Sequence, residues 1–192
     1  MLTRIRIRGY KSLDDLEVAL PPLAVLFGPN ASGKSNLLDA LQLLAELATA
    51  RTLKEAFEPP YRGKPLESFT FGPGGVRELL DRGQLSFTIE VDVHLADEVV
   101  DEVDRQIVEM RRGGASDAPS TQRPASAVTE RNLRYRVEIE MLPREGFLRV
   151  ADEYLVALTA HGKPTGRRKP FLSEEAGRLR LRMEGQAHPT YY

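Results

Sequence analysis

The sequence contains no cysteine, no tryptophan and only three histidines among its 192 residues. Without cysteine the chain can form no disulfide, no thiolate nucleophile and no cysteine-ligated zinc or iron–sulfur site. Its net charge is also close to zero, because 27 Lys and Arg stand against 28 Asp and Glu. These shortages exclude a disulfide scaffold and a polyanion binder that depends on net charge, but they leave local basic patches open.

Long apolar runs are missing as well. No stretch approaches the roughly 20 apolar residues that a membrane helix needs. Residues 4–8 alternate Arg with Ile, which is unlike the continuous apolar core of a signal peptide. We therefore expect a soluble, cytoplasmic protein without membrane contact. The length suits one full-sized domain, so residues 1–192 are taken as a single unit.

One motif carries chemistry. Residues 28–35 read GPNASGKS and match G-x-x-x-x-G-K-[ST] at every fixed position. Five apolar residues, Leu23 to Phe27, precede it and predict a strand that is buried on both faces. After it, Leu37, Leu41 and Leu44 follow helical spacing. The predicted order of buried strand, glycine loop and helix is the context that a phosphate-binding loop requires.

Each fixed position of the motif has a chemical role in binding phosphate. Gly28 and Gly33 allow the backbone to wrap closely, so that N–H groups point at an anion at the positive end of the helix. Lys34 would place its ammonium against the β and γ phosphates, and the Ser35 hydroxyl would coordinate Mg²⁺. The sequence has no N-K-x-D motif to read guanine, so ATP with Mg²⁺ is the expected ligand.

The N-terminal 48 residues resemble the start of the ABC-type ATPases of the SMC, RecF and OLD group, which includes many AAA-type proteins. The resemblance rests on G-Y-K-S at 9–12 and on G-P-N-x-S-G-K-S-N at 28–36, the Walker A motif of that group. It implies a basic residue near the nucleotide at Lys11, and Ala31 replaces a glycine that is commoner in the group. The implied nucleotide-binding residues are Lys11, Gly28, Pro29, Asn30, Ala31, Ser32, Gly33, Lys34, Ser35 and Asn36.

The fold that this pattern predicts is α/β: a P-loop NTPase lobe with a mixed sheet, in which the Walker A strand, loop and helix pack on antiparallel strands. Apolar alternation at 2–8, 16–20, 85–95, 133–141, 150–158 and 179–183 predicts those strands, with Gly9 ending the first one. Asp97 has the character of an N-cap for a helix. Residues 111–127 are rich in small residues and proline and predict a flexible loop.

The catalytic acids of the group have no clear counterpart. A Walker B strand needs about four apolar residues followed by an acidic pair. Arg149 interrupts the candidate at 147–153, and the acids of Ile89 to Asp92 share one strand face, which we assign to solvent. LSEEAG at 172–177 lacks the central glycine of a signature loop and predicts a hairpin turn. We expect no catalytic residue here and a C-terminal lobe, with the signature and Walker B motifs, that is absent from this chain.

The resemblance also implies partners, because two protomers of this group sandwich ATP between them. ATP binding is then expected as part of an SMC/RecF-like ATPase that hydrolyses ATP only with a C-terminal lobe and a dimer partner, in DNA repair or phage defence. The alternative is a non-hydrolytic module whose ATP gates an interaction.

Weaker features have plain explanations beside functional ones. Arg77 and Arg82 could lie near the nucleotide or belong to a solvated amphipathic turn. Seven basic residues between Lys163 and Arg182 could contact DNA or coat a hairpin. His94, His161 and His188 have no ligand spacing, so no metal beyond Mg²⁺ is expected.

Overall fold

The computed structural model describes residues 1–112, 126, 128–165, 170–175, 178–181 and 190–191. Most of the expected loop at 111–127, and Arg167, Arg168, Lys169 and Arg182 of the basic stretch, lie outside these residues. The described strands are β1 (Leu2–Tyr10), β2 (Leu13–Ala19), β3 (Leu85–His94), β4 (Asn132–Leu142), β5 (Phe147–Ala157), β6 (Leu172–Glu175), β7 (Arg178–Leu181) and β8 (Thr190–Tyr191). The helices are α1 (Lys34–Thr49), α2 (Leu53–Ala56), α3 (Gly75–Asp81) and α4 (Asp97–Arg112), with a 3₁₀ turn at Pro65–Ser68.

The strands form one sheet in the order β2-β1-β3-β4-β5-β6-β7-β8, and the described pairings are antiparallel. The expected α/β class and the β1–β2 hairpin are confirmed. Gly9 does not end β1, which runs on to Tyr10 with Gly9 at φ 69°. A Cβ at Gly9 would lie 2.8 Å from the carbonyl oxygen of Ser86, so glycine allows β3 to pair closely.

Helix α1 packs on one face of the sheet and closes the core. Its Leu37, Ala40 and Leu43 belong to the same buried cluster as Ile5 and Ile7 of β1. Along most of β1, β3 and β4, apolar side chains that point toward this cluster alternate with polar ones on the opposite face, which is the period of a half-buried strand. The core therefore fixes the first turn of α1 against the N-terminal hairpin.

The expected buried strand before the motif is not formed. Residues 23–27 carry no strand assignment, and Leu23, Val25 and Phe27 are 82%, 75% and 90% exposed. The last ladder bond of this region joins Leu20 N–H to the Thr3 carbonyl. A strand needs a neighbour for its backbone groups, and among the described residues none lies beside this segment. The prediction of a buried strand at residues 23–27 is therefore wrong.

The predicted helix after Asp97 is confirmed as α4, but Asp97 is its first residue rather than its N-cap. The helix extends to Arg112, two residues into the segment expected to be loop. Val100 of this helix is buried, whereas the neighbouring Val99 is exposed. The LSEEAG segment is part of the β6–β7 hairpin, since Glu175 pairs with Arg178. Residues 172–175 are strand β6, and the turn predicted after them, at 176–177, lies outside the described residues.

The polar face of the sheet is covered by ion pairs between strands. Asp92 of β3 accepts hydrogen bonds from Arg134 Nε at 2.6 Å and Nη2 at 2.8 Å, and Arg4 reaches Glu90 at 2.8 Å. Asp92 is only 7% exposed, so placing these acids in solvent was wrong. A buried carboxylate requires such partners, because desolvation alone would strongly disfavour its charge.

Candidate nucleotide site at the glycine loop

The glycine loop, residues 28–35, leads directly into α1. Gly33 is the N-cap of α1 with φ 88°, and Gly28 has φ 150°; both lie where glycine is strongly favoured. Leu37 N–H bonds the Gly33 carbonyl at 3.0 Å and closes the first helical turn. That first turn, 34–37, contains no acidic residue. The positive end of the α1 dipole is therefore available to an anion.

Lys34 folds its side chain back across the loop. Its Nζ donates to the carbonyl oxygens of Gly28 at 2.8 Å and Pro29 at 2.7 Å, and to the Ser32 hydroxyl at a longer 3.3 Å. The two short bonds fix the ammonium inside the curve of the backbone. The longer bond to Ser32 is the one that a stronger acceptor, such as a phosphate oxygen, would replace.

Ala31 occupies the loop position at which the SMC, RecF and OLD group more often has glycine. It has φ 63°, in the left-handed region. A residue with a Cβ pays about 1 kcal/mol for that conformation. The replacement therefore leaves mild strain at the exposed tip of the loop.

Lys11 lies in the turn between β1 and β2, close to α1. Its Nζ donates to Asp39 Oδ2 at 2.7 Å and to the Arg62 carbonyl at 3.0 Å, and its side chain is 11% exposed. The same ammonium lies 5.0 Å from the Tyr61 ring centroid. The resemblance implies that Lys11 lies near the nucleotide, which stays a prediction; in the structure its ammonium is held by protein acceptors.

A cavity of about 560 Å³, here called the Lys11 cavity, opens next to the glycine loop. Ser12 and Asn36 lie on its wall, and Asn36 Nδ2 donates to Ser12 Oγ at 2.7 Å. A Cβ at Gly33 would lie 3.3 Å from the same Ser12 oxygen, so the loop and the cavity share this rim. The rest of the wall consists of Lys11, Arg62, Gly63, Glu67, Phe71 and Val76, that is, two cations, one carboxylate, one glycine and two apolar side chains.

Asp39 connects these parts from the side of α1. It is 8% exposed, and its Oδ2 accepts from both Lys11 and Arg62 at 2.7 Å. Burial alone would raise the pKa of Asp39, but the hydrogen bonds and charges of Lys11 and Arg62 outweigh it and hold the pKa below its usual range. Sequence reasoning missed Asp39, although its place four residues after Ser35 was a usable signal, because it lies on the same helix face.

Residues 23–97 match the family model described as "AAA domain, putative AbiEii toxin, Type IV TA system". A segment of 44 residues is 36% identical to the "OLD nuclease" of Thermus scotoductus, covering 23% of this chain and 8% of that protein. A segment of 56 residues is 39% identical to "DNA replication and repair protein RecF" of Limosilactobacillus fermentum, covering 29% and 15%. RecF of Corynebacterium jeikeium is 36% identical over 56 residues, covering 29% and 13%.

The N-terminal part of the chain is homologous to the ATPases of the SMC, RecF and OLD group. The resemblance noted from residues 1–48 is therefore confirmed. The aligned segments span 8 to 15% of these relatives, so their whole activities do not transfer with the match.

The two acidic pairs considered as Walker B candidates, on β3 and β5, make contacts with side chains of neighbouring antiparallel strands. On β5, Asp152 pairs with Arg136, and Glu153 accepts from the Tyr135 hydroxyl at 2.7 Å. On β3, Glu90 and Asp92 belong to the ion pairs of the polar sheet face. These carboxylates are engaged in contacts within the sheet.

The remaining sequence candidates lie apart from the glycine loop or in solvent. Arg82 pairs with Glu78 one helical turn away, the geometry expected of a solvated amphipathic turn, and Arg77 is exposed. His94 bonds Asn132. Within the described part of the chain, no group of three or more acidic, His or Cys side chains could hold a metal. No helix there is long and apolar enough to cross a membrane.

Proposed function

We propose that the chain binds ATP with Mg²⁺ through the glycine loop, as the nucleotide-binding part of an SMC/RecF/OLD-type ATPase. The observation that carries the proposal is the Lys34 ammonium, fixed inside the loop by the Gly28 and Pro29 carbonyls. A triphosphate placed there meets the backbone N–H groups of residues 30–35, this ammonium and the start of α1.

The neighbouring residues then have separate roles. Gly28, Gly33 and the backbone of Pro29, Asn30, Ala31 and Ser32 shape the loop around the phosphates. The exposed Ser35 hydroxyl lies in the first turn of α1, beside Lys34. One hydroxyl beside phosphate oxygens and waters is a ligand set that suits Mg²⁺, which keeps much of its water. Asn36 and Lys11 lie farther from the phosphates, on the rim and wall of the Lys11 cavity.

The Lys11 cavity is the place for the ribose and base. Its volume, about 560 Å³, lies within the range of small-ligand sites. Phe71 and Val76 offer apolar surface to a base, and Ser12 and Asn36 offer polar groups near the loop. With the triphosphate in the glycine loop, the nucleoside would therefore extend into the Lys11 cavity.

Hydrolysis requires groups beyond those described, namely a C-terminal lobe and a second protomer. The exposed apolar segment 23–27 supports this completion. Its apolar side chains face solvent, and its backbone lacks strand partners among the described residues. An apolar segment of that kind is suited to become a central strand when another lobe supplies a neighbour.

A non-hydrolytic module, in which ATP gates association, is the second candidate. The ion-paired state of the candidate acid pairs on β3 and β5 favours it. Size-exclusion elution with and without ATP, run beside a phosphate-release assay, separates the two. An ATP-dependent dimer without turnover supports the module, whereas steady-state phosphate release that Lys34→Ala abolishes supports a hydrolase.

A role in DNA repair or phage defence is the cellular context that we propose for either form. One relative is named a nuclease and two are named replication and repair proteins. The polar sheet face offers paired rather than free charges, so DNA contact would fall to the basic stretch from Lys163 to Arg182. Salt-dependent DNA binding that is lost on Arg167→Glu and Arg168→Glu tests this placement.

Equilibrium binding of ATP tests the central proposal. Lys34→Ala should weaken binding at least 100-fold, roughly the value of a desolvated charge-assisted contact to phosphate. Lys54→Ala, an exposed lysine of α2, is the matched control and should bind as the native chain does. Equal affinity of the Lys34→Ala and native chains would refute ATP binding at this loop.

A further inference from the structure

Asp39 is a buried carboxylate that the glycine-loop motif does not include. It lies on α1 and is 8% exposed. A single oxygen, Oδ2, accepts from Lys11 Nζ and from Arg62 Nη2, each at 2.7 Å. Through this one atom, α1 is joined both to the β1–β2 turn and to the segment around Arg62.

Lys11 and Arg62 differ in exposure and in the N–H donors that remain for a ligand. Lys11 is 11% exposed and also donates to the Arg62 carbonyl at 3.0 Å. Arg62 is 63% exposed and lies on the wall of the Lys11 cavity. A guanidinium has five N–H donors, so Arg62 keeps capacity for a ligand that Lys11 has largely used.

The segment around Arg62 has little regular structure of its own to hold it in place. Residues 59–64 belong to no helix or strand, and Gly63 has φ 108°. The backbone at Arg62 is held by Lys11 and its side chain by Asp39, so both attachments depend on the same ion-pair cluster. Tyr61 anchors the neighbouring backbone, because its buried hydroxyl bonds Tyr10 and Ser68. Without the carboxylate, however, the two neighbouring cations would repel each other and the Arg62 side chain would lose its fixed position.

We infer that Asp39 is a positioning residue that fixes Arg62 as a wall of the Lys11 cavity and so determines how well the nucleoside part of a bound nucleotide is recognised. The inference rests on the proposed function, because it needs a triphosphate in the glycine loop. Lys34 handles the phosphates, whereas Asp39 acts only through Arg62 and Lys11.

The test compares two probes, ATP and inorganic tripolyphosphate, which share the phosphates but not the nucleoside. In the native chain ATP should bind more tightly. Asp39→Asn, which keeps the size of the side chain, should reduce the ratio of ATP to tripolyphosphate affinity by about tenfold, the size of one charge-assisted hydrogen bond. Tripolyphosphate should bind as well as before or better, since two cations are released.

Three further variants separate positioning from stability. Asp39→Glu keeps the charge and should restore part of the ratio. Glu46→Gln removes a carboxylate from α1 two turns away and should leave the ratio unchanged. Arg62→Gln, at an exposed side chain that folding does not need, should reduce the ratio as Asp39→Asn does. It carries the test if Asp39→Asn does not fold.

The outcomes are distinct. A lowered melting temperature with an unchanged ratio in Asp39→Asn, or an unchanged ratio in Arg62→Gln, overturns the inference and leaves the proposed function standing. A native chain that binds neither probe overturns both. A ratio that falls in Asp39→Asn and Arg62→Gln but not in Glu46→Gln supports the positioning role.

Discussion

Asn36 Nδ2 donates a hydrogen bond of 2.7 Å to the hydroxyl of Ser12. The bond joins the first turn of α1 to the β1–β2 turn, two segments separated by 24 residues in the chain. Because Gly33 lies against the same hydroxyl, the glycine loop and the rim of the Lys11 cavity form one continuous surface. A change at Gly33 should therefore affect ligand binding as well as backbone strain.

Gly33→Ala should abolish most ATP binding. At φ 88° its new Cβ would lie 3.1 Å from Leu13 Cδ2 and 3.3 Å from Ser12 Oγ, so the loop must shift. Gly146→Ala is the matched control, since Gly146 also has positive φ, 64°, but has open space around it. Both should lose about 1 kcal/mol or more of stability, yet isothermal titration should find reduced ATP affinity only for Gly33→Ala. Equal ATP affinities of the two variants would show that Gly33 does not belong to the binding site.

Asp39→Asn should lower the free energy of unfolding at neutral pH, by a difference that disappears in acid. The pKa of Asp39 is held below its usual range in the folded chain. Its contribution is therefore complete above the unfolded value of about 4 and is lost as the pH falls through the lower folded value. Urea unfolding from pH 7 to pH 2.5 measures the difference between the two chains. A difference that grew below pH 4 would contradict this sign.

Asp92→Asn should destabilise the fold without affecting ATP. It removes the charge that Arg134 contacts through two nitrogens and leaves two arginines short of a partner. We expect a loss of about 2 kcal/mol, less than for a fully buried pair. Urea unfolding gives the loss, and Asp14→Asn on the exposed side of β2 is the control. A loss of ATP affinity in Asp92→Asn would show that the polar sheet face and the glycine loop are coupled.

Phe27→Ser should change the stability of the 192-residue chain by no more than about 0.5 kcal/mol, as expected of an exposed position. Phe27 is 90% exposed, whereas Phe87 is 1% exposed in the core. Phe87→Ala should cost about 3–5 kcal/mol in the same denaturation experiment. A loss above 2 kcal/mol for Phe27→Ser would mean that the segment is buried in solution, as the sequence first indicated.

The helix, the hairpin and the long strands could be predicted because they are local. Apolar spacing every three to four residues marks α1, and strict alternation marks β1, β3 and β4. The glycine loop could be predicted because its residue types are fixed by backbone conformation and by phosphate chemistry. Those signals lie within a few residues of each other, and the positive φ angles of Gly28 and Gly33 agree with the backbone part of the prediction.

The rest depends on contacts between distant parts of the chain. Leu23 to Phe27 has the composition of a buried strand, but burial needs a neighbouring strand that composition does not reveal. Asp39 and Arg62 meet through one carboxylate oxygen across 23 residues, and the segment around Arg62 has no periodicity to mark it. The placement of Asp92 in solvent failed for the same reason, because its partner Arg134 lies on another strand.

The position of bound nucleotide is the most direct test of the central claim. Backbone amide resonances of the 21.5 kDa chain can be followed by NMR while Mg·ATP is added. The largest shifts should occur at Ser32, Gly33, Lys34 and Ser35, and Lys34→Ala should remove them. Shifts confined to other parts of the chain, or none at saturating Mg·ATP, would contradict the claim that the glycine loop binds the triphosphate.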